Sequence, residues 1–210
     1  MNPSSIHAAV AFVQKGQSAP KPADVVAALL AAEKESKRKK QRYAYEDLLG
    51  TWRLIFVSGT KTKKTAGGQT IKAVGSGRFL PRFVAIALTY NPPSQTTDPA
   101  EIDTTKIGSV ENAVAIGPLN LRLSGPTRFW PNTNSLAFDF TSLRAQLGAI
   151  TLYNGSIRGG GKGQGSQDRN AAFKTQSLKE QAFFTFFRVE PDYIAARGKG
   201  GGLALWIRSA

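Results

Sequence analysis

The sequence predicts a mostly β protein, an antiparallel barrel preceded by N-terminal helices, and three observations carry that prediction. Apolar residues recur at helical spacing up to Gly50 and at every second position after it. The period-two segments are numerous enough to close a sheet on itself. Between two of them, "SGPTRFWPNTNS" holds the turn formers an antiparallel hairpin needs. With 210 residues, 41% of them hydrophobic, the chain can bury one sizeable core. The expected organisation is an N-terminal helical basic arm over 1–46 and a barrel domain over 47–210.

Residues 4–15 read as a short helix capped by Ser4 or Ser5, with Ile6, Ala9, Val10 and Val13 on one stripe and Gly16 as terminator. "QSAPKP" is a hinge. Asp24 then caps the run "VVAALLAAEKESKRKKQRYAYEDLLG", in which Val25, Ala28, Leu29 and Ala32 share a face and Gly50 ends the pattern. Six basic residues face two acidic ones between Glu33 and Arg42, an excess of four by subtraction. Lys37, Arg38, Lys39, Lys40 and Arg42 therefore either solvate a helix face or contact an anionic surface or an acidic protein.

Strands are expected at 51–58, 82–90, 109–116, 119–124, 136–141, 149–154, 182–189, 193–196 and 203–208. "LNLRLS" and "LAFDFT" alternate cleanly, which turns Leu119, Leu121, Leu123, Leu136, Phe138 and Phe140 inward and leaves Asn120, Arg122 and Asp139 the more exposed set. Other strands are apolar on both faces. In "TWRLIFVS", Trp52, Leu54 and Phe56 lie opposite Arg53, Ile55 and Val57; in "AFFTFFRV", Phe184 and Phe186 lie opposite Phe183, Phe187 and Val189. Two greasy faces fit a barrel with an apolar inside and a helix covering its outside. The interior set expected to meet a ligand is Trp52, Leu54, Phe56, Leu121, Phe138, Phe140, Phe184 and Phe186. A barrel of about eight strands either fills with its own side chains or holds one small ligand.

Two long insertions interrupt the strands, the proline-rich 91–106 and the glycine-rich 155–176, of a length suited to lids or partner contacts. The second is no phosphate loop, because the Gly-Lys pairs at 161–162 and 198–199 are followed by glycine rather than serine or threonine.

Composition excludes several chemistries. There is no cysteine and one histidine, His7, so disulfides, thiol nucleophiles, cysteine zinc sites and histidine triads or metal clusters in the core are excluded. No catalytic residue, metal or required cofactor is expected. Glu101, Asp103, Asp139, Glu190 and Asp192 are the general-acid candidates, but their spacing selects no pair. The formal net charge of +14 attracts nucleic acid, anionic membrane or acidic protein. "TRFWPN" and "KRKKQRYAY" set arginines beside aromatics, as base stacking with phosphate contact would require, although no recognised nucleic-acid module surrounds them. No stretch approaches the ~18 apolar residues of a membrane span. A secretory signal is not expected, since the opening lacks a charged leader; the first 23 residues are acid-free like a transit peptide but contain no arginine.

"LLGTWRLIFVSG" together with "PDYIAARGKGGGLALWIR" resembles the plastid lipid-associated protein family, the fibrillins of plastids and cyanobacteria. In that family a Gly-Thr-Trp strand opens a lipocalin-like domain, and an Arg-Gly with a glycine-containing turn and an apolar strand closes it. Gly50, Thr51 and Trp52 fit the opening, and Arg197, Gly198, Lys199 and Gly200 the closing turn. "IDTTKIGSVENAVAIGPLNLRLSG" is similar to the family's Val-Glu-Asn strand and hairpin, so the resemblance covers about 46–208. It departs at "VEPDYIAAR", where a more acidic segment is expected, and at the glycine loop 159–165. The resemblance implies a lipocalin-like antiparallel barrel whose calyx binds a hydrophobic isoprenoid or lipid, such as a carotenoid or quinone, without catalysis. It further implies peripheral association with the thylakoid membrane, an anionic surface, and a photosynthetic protein complex as a further partner. By the same resemblance, Trp52 plugs the closed end and Arg197 lies over its indole. Two other readings remain open: a lipocalin-like bilin lyase or other enzyme, and a basic nucleic-acid- or protein-binding module.

Overall fold

The computed structural model describes residues 4–64, 70–92, 106–157 and 173–209. Helices α1 (Ser4–Lys15) and α2 (Pro22–Lys39) come first, then a 3-10 turn (Glu46–Leu48). Strands β1 (Gly50–Lys64), β2 (Thr70–Phe79), β3 (Val84–Asn91), β4 (Lys106–Ile116), β5 (Leu119–Trp130) and β6 (Ser135–Phe138) follow. After them come β7 (Ser142–Leu147), β8 (Ile150–Ser156), β9 (Ala182–Val189), β10 (Tyr193–Gly198) and β11 (Leu203–Arg208). The ring runs β1-β3-β4-β5-β6-β9-β10-β11 and returns to β1, every pair antiparallel. It is a closed eight-stranded barrel with helices near the N-terminus, the fold class the sequence predicts.

Two hairpins project beyond this ring. β2 lengthens β1, and the β7–β8 hairpin attaches to β5. Neither β2 nor β7 is among the expected strands: "TIKAVGSGRF" loses its alternation at Ala73-Val74 and its glycines, whereas "SLRAQL" does alternate, over six residues only. Each forms because a long neighbour offers it a hydrogen-bonding edge.

Buried apolar residues divide into two clusters separated by the barrel wall. Outside, the helix stripe Ile6, Ala9, Val10, Val25, Leu29 and Ala32 covers Phe187, Tyr193, Ala195, Leu203, Leu205 and Ile207. Of the strands expected to be apolar on both faces, β1 and β9 are covered by the helices, whereas the strand over 83–90 adds nothing to this outer cluster. Inside, Trp52, Tyr90, Phe129, Leu136, Phe186, Ile194 and Trp206 form a second cluster with Tyr45 and Leu48.

Four expectations are corrected here. Phe56 does not share the inner face with Trp52 and Leu54: a bulge between Leu54 and Phe56 reverses the alternation, so Ile55 and Phe56 join the outer cluster and Val57 turns in. Phe56 meets Phe79 edge-on at 5.1 Å, and a Cβ on Gly77 would collide with the tip of the Phe56 ring. Helix α2 does not continue to Gly50. Lys40 takes a left-handed conformation (φ 50°), and Asn134 secures the exit, accepting from Tyr43 N–H at 3.1 Å and donating to Gln41 O at 2.8 Å. At the other end Lys21 is the N-cap, Pro22 begins the helix, and Asp24 lies in the first turn, where its charge suits the helix dipole. Strand β6 stops at Phe138 instead of reaching 141, because Pro126 on β5 has no N–H to continue the ladder. Asp139 N–H then reaches Pro126 O and Thr141 N–H reaches Ser124 O, and β5 changes partner from β6 to β7.

Candidate functional site

The inner face of the barrel changes character along its axis. At one end the segment after α2 folds beneath the strands as a plug. Trp52 is fully buried and donates its indole N–H to Leu48 O at 2.7 Å. Tyr45 donates to Asn91 O at 2.8 Å and lies 3.1 Å from the Thr127 hydroxyl. A Cβ on Gly108 would overlap the Tyr45 hydroxyl, so glycine is required there. Burial raises the pKa of the Tyr45 phenol and strongly raises that of the fully enclosed Tyr90 phenol, so both stay neutral.

Trp52 is the expected plug, but its cation is Arg208 rather than Arg197. Register places Arg208 directly across from Trp52, with the guanidinium carbon 4.0 Å from the ring centroid. Arg208 also donates to Pro191 O at 2.6 Å and Leu49 O at 3.0 Å, stitching three strand-end segments together. Gly50 makes room for it: φ is +109° and a Cβ would stand 2.8 Å from an Arg208 nitrogen. The Gly-Thr-Trp corner thus joins a turn only glycine tolerates to the tryptophan beneath the same arginine.

Arg197 has the opposite parity on β10 and points outward. There it makes a two-pronged bond to Glu33 of α2 and a third to Gly201 O, pinning the helix to the barrel. Burial raises the Glu33 pKa, but bonds from Arg197 and Lys37 outweigh burial and hold the carboxyl below its usual range.

At the other end the inner face continues without a plug. Cross-strand register sets Val84, Ile116, Leu119, Leu147 and Ile150 side by side on one face, followed one step inward by Ile86, Val114, Leu121, Ala145 and Tyr153. Leu54, Val57, Leu121, Leu123, Phe138, Phe140 and Phe184 are only partly buried, and Ile116 and Ile150 are 43% and 65% exposed. An aromatic wall descends from this mouth: Phe138 stacks on Phe184 at 5.1 Å, and Phe184 meets Trp206 edge-on at 5.2 Å. Asn112 shares the inner face with Leu88 and Leu123, and its Oδ1 is buried with no partner among the described residues. Of the expected interior set, Trp52 and Phe186 lie in the closed half, Leu54, Leu121, Phe138, Phe140 and Phe184 in the open half, and Phe56 outside.

Where β6 ends and β9 begins the open half also has a side seam. A cleft of about 250 Å3 lies there, lined by Phe138, Asp139, Phe173, Gln176, Glu180, Gln181 and Ala182. Sequence reasoning misses this cleft, because Phe173 and Gln181 belong to a polar stretch with no period. Arg208 and Tyr45 are missed too, although cross-strand counting from Trp52 would have found Arg208.

Other expected groups are placed as follows. Lys37 and Lys39 pair with Glu33 and Glu35, and Arg42 donates to Gln41 O; Arg38 and Lys40 are exposed. The run 37–42 leads to the closed end, where Asn134 ties it down. Glu190 approaches Arg188 at 3.6 Å, Asp192 is exposed, and Glu101 and Asp103 lie outside the described residues, as do Gly161 and Lys162. The aromatics a nucleic acid would stack on are already engaged: Tyr43 and Tyr45 are buried, and Arg128 lies 4.8 Å over Trp130. Among the described residues no cluster of three acidic or histidine side chains converges on a metal site, and no helix is long and apolar enough to cross a membrane.

Compared with known proteins, the chain matches no family model and no curated protein.

Proposed function

We propose that the barrel is a non-enzymatic binding module for a hydrophobic molecule, an isoprenoid or lipid, held in its open half and exchanged at an anionic membrane surface. The observation that carries this reading is the half-buried state of inward-facing Leu54, Leu121, Leu123, Phe138 and Phe184, while the closed half of the same surface is filled. A ligand removing ~200 Å2 of apolar surface from water would gain about 5 kcal/mol at ~25 cal/mol per Å2, before ordering costs. The resemblance to plastid lipid-associated proteins supports the same ligand class and a thylakoid as the membrane.

The mouth supplies the contact. Phe83 is 70% exposed beside exposed Arg82, and Ile116, Leu147 and Ile150 share the rim, with exposed Lys199 in the β10–β11 turn. Aromatic and aliphatic side chains enter the headgroup boundary while cations meet lipid phosphates. The run Lys37–Arg42 adds long-range attraction that salt screens. Binding of the neutral probe N-phenyl-1-naphthylamine tests the pocket. Saturable fluorescence enhancement that Leu121→Trp abolishes without lowering the melting temperature is expected; no saturable signal would end the reading. Sedimentation with anionic vesicles separates the two surfaces. Phe83→Ser with Ile150→Ser should weaken binding at moderate salt, whereas glutamine at Lys37, Arg38, Lys39 and Lys40 should matter only at low salt.

A further inference from the structure

We infer that the seam cleft is a head-group subsite for an apolar chain that ends in a hydrogen-bond donor, a hydroxyl or an ammonium, received by Gln181 Oε1. The inference rests on the hydrophobic-ligand reading above and names the chemistry of the ligand's end. Gln181 is 4% exposed and lines the cleft. Its Nε2 donates to Phe173 O at 2.6 Å. A carbonyl only accepts, so this bond sets the orientation of the amide and leaves the other atom, Oε1, as an acceptor. That acceptor is buried and has no partner among the described residues. A buried acceptor without a donor is unfavourable, and a ligand that brings a donor relieves it.

The cleft walls narrow the choice further. Phe138, Phe173 and Ala182 supply apolar contact, while Asp139 and Glu180 supply carboxylates, and none of the described lining residues is a cation. Lys174 and Lys179, on the same segment, are exposed and do not line it. Bonds from the Ser177 hydroxyl and backbone N–H hold the Glu180 carboxyl below its usual range, so it remains charged. A carboxylate- or phosphate-ended chain would meet this charge. A hydroxyl is not repelled, and an ammonium is attracted. Phe138 connects the cleft to the barrel, since it lines the one and stacks on Phe184 in the other. A chain anchored at Gln181 can therefore lie along Phe138 and Phe184.

Displacement of N-phenyl-1-naphthylamine by decane, 1-decanol, decylamine and decanoate at neutral pH tests the subsite on the whole chain. Decanol and decylamine should displace at concentrations about tenfold lower in the parent than in Gln181→Met, the loss of one hydrogen bond to a buried acceptor, with decane unchanged. Glu180→Gln should strengthen decanoate and weaken decylamine, with decane and decanol unchanged. Equal displacement curves for decanol in parent and Gln181→Met would mean that the cleft holds water only, and would overturn the subsite while leaving the barrel reading intact. Failure of the parent to bind the probe or decane would instead remove the barrel reading, and the subsite with it. Should Gln181→Met not fold, the Glu180→Gln arm decides: decanoate binding unchanged from the parent overturns the proposal.

Discussion

The two ends of this barrel use the same kind of residue for opposite purposes. At the closed end Trp52, Tyr90, Phe129 and Trp206 are enclosed because Tyr45 and Leu48 pack beneath them and Arg208 ties the strand ends together. At the open end Leu54, Leu121, Phe138 and Phe184 face the same interior, and the described chain supplies no such plug. Apolar side chains on a barrel's inner face are therefore core only where something covers them. Where nothing does, they stay half-exposed, and the proposed ligand reading rests on them.

The largest expected effect tests the closed end. Trp52→Ala removes a fully buried indole, its bond to Leu48 O and the seat of Arg208, and should cost ~3 to 5 kcal/mol by denaturant melts. A loss as small as that of an open-end truncation would erase the distinction between the ends. Gly50→Ala comes next, at about 1 to 3 kcal/mol, since it forces a side chain into a positive-φ conformation and against Arg208. If Gly50→Ala in an Arg208→Ala background recovers part of that loss, the corner and the arginine are one device.

An acid titration probes the strap that holds α2 on the wall. Glu33 has its pKa lowered in the folded chain, so its pairing stabilises the protein above the ordinary carboxylate range and the benefit disappears as pH falls through the lowered value. Arg197→Lys loses the two-pronged geometry and should cost about 2 kcal/mol near neutrality, with the difference from the parent shrinking in acid. A difference that stays constant to low pH would mean the pair does not hold the helix. The smallest expected stability effect is at the mouth. Leu121→Ala removes a half-buried side chain of the inner face, so about 1 kcal/mol should be lost while probe affinity falls clearly, a separation the closed end should never show.

Much of the architecture was legible because periodicity is local. The stripe from Ile6 to Val13, the face Val25 to Ala32, and the alternation in "LNLRLS" each report a buried side without knowledge of the partner. Bulges and changes of partner are not local. The bulge after Leu54 moved Phe56 across the wall, and Pro126 ended β6 early, both because hydrogen-bond register is a property of two strands together. The cleft at Gln181 carries no periodic signal at all, since its lining comes from a strand end and a polar loop that meet only in three dimensions.

Composition and pattern by themselves determined that this chain makes a helix-covered antiparallel barrel, that cysteine and histidine chemistry is excluded from its core, and that a tryptophan stands at the start of the first strand. Tertiary structure alone decided which arginine covers that tryptophan. Arg197 and Arg208 are both near the end of the chain and both suit an indole face, but strand parity sends one to a helix and the other to the ring. It also decided which half of an evenly apolar interior is filled, because a plug belongs to the interior only after the segment between helix and barrel has turned beneath it.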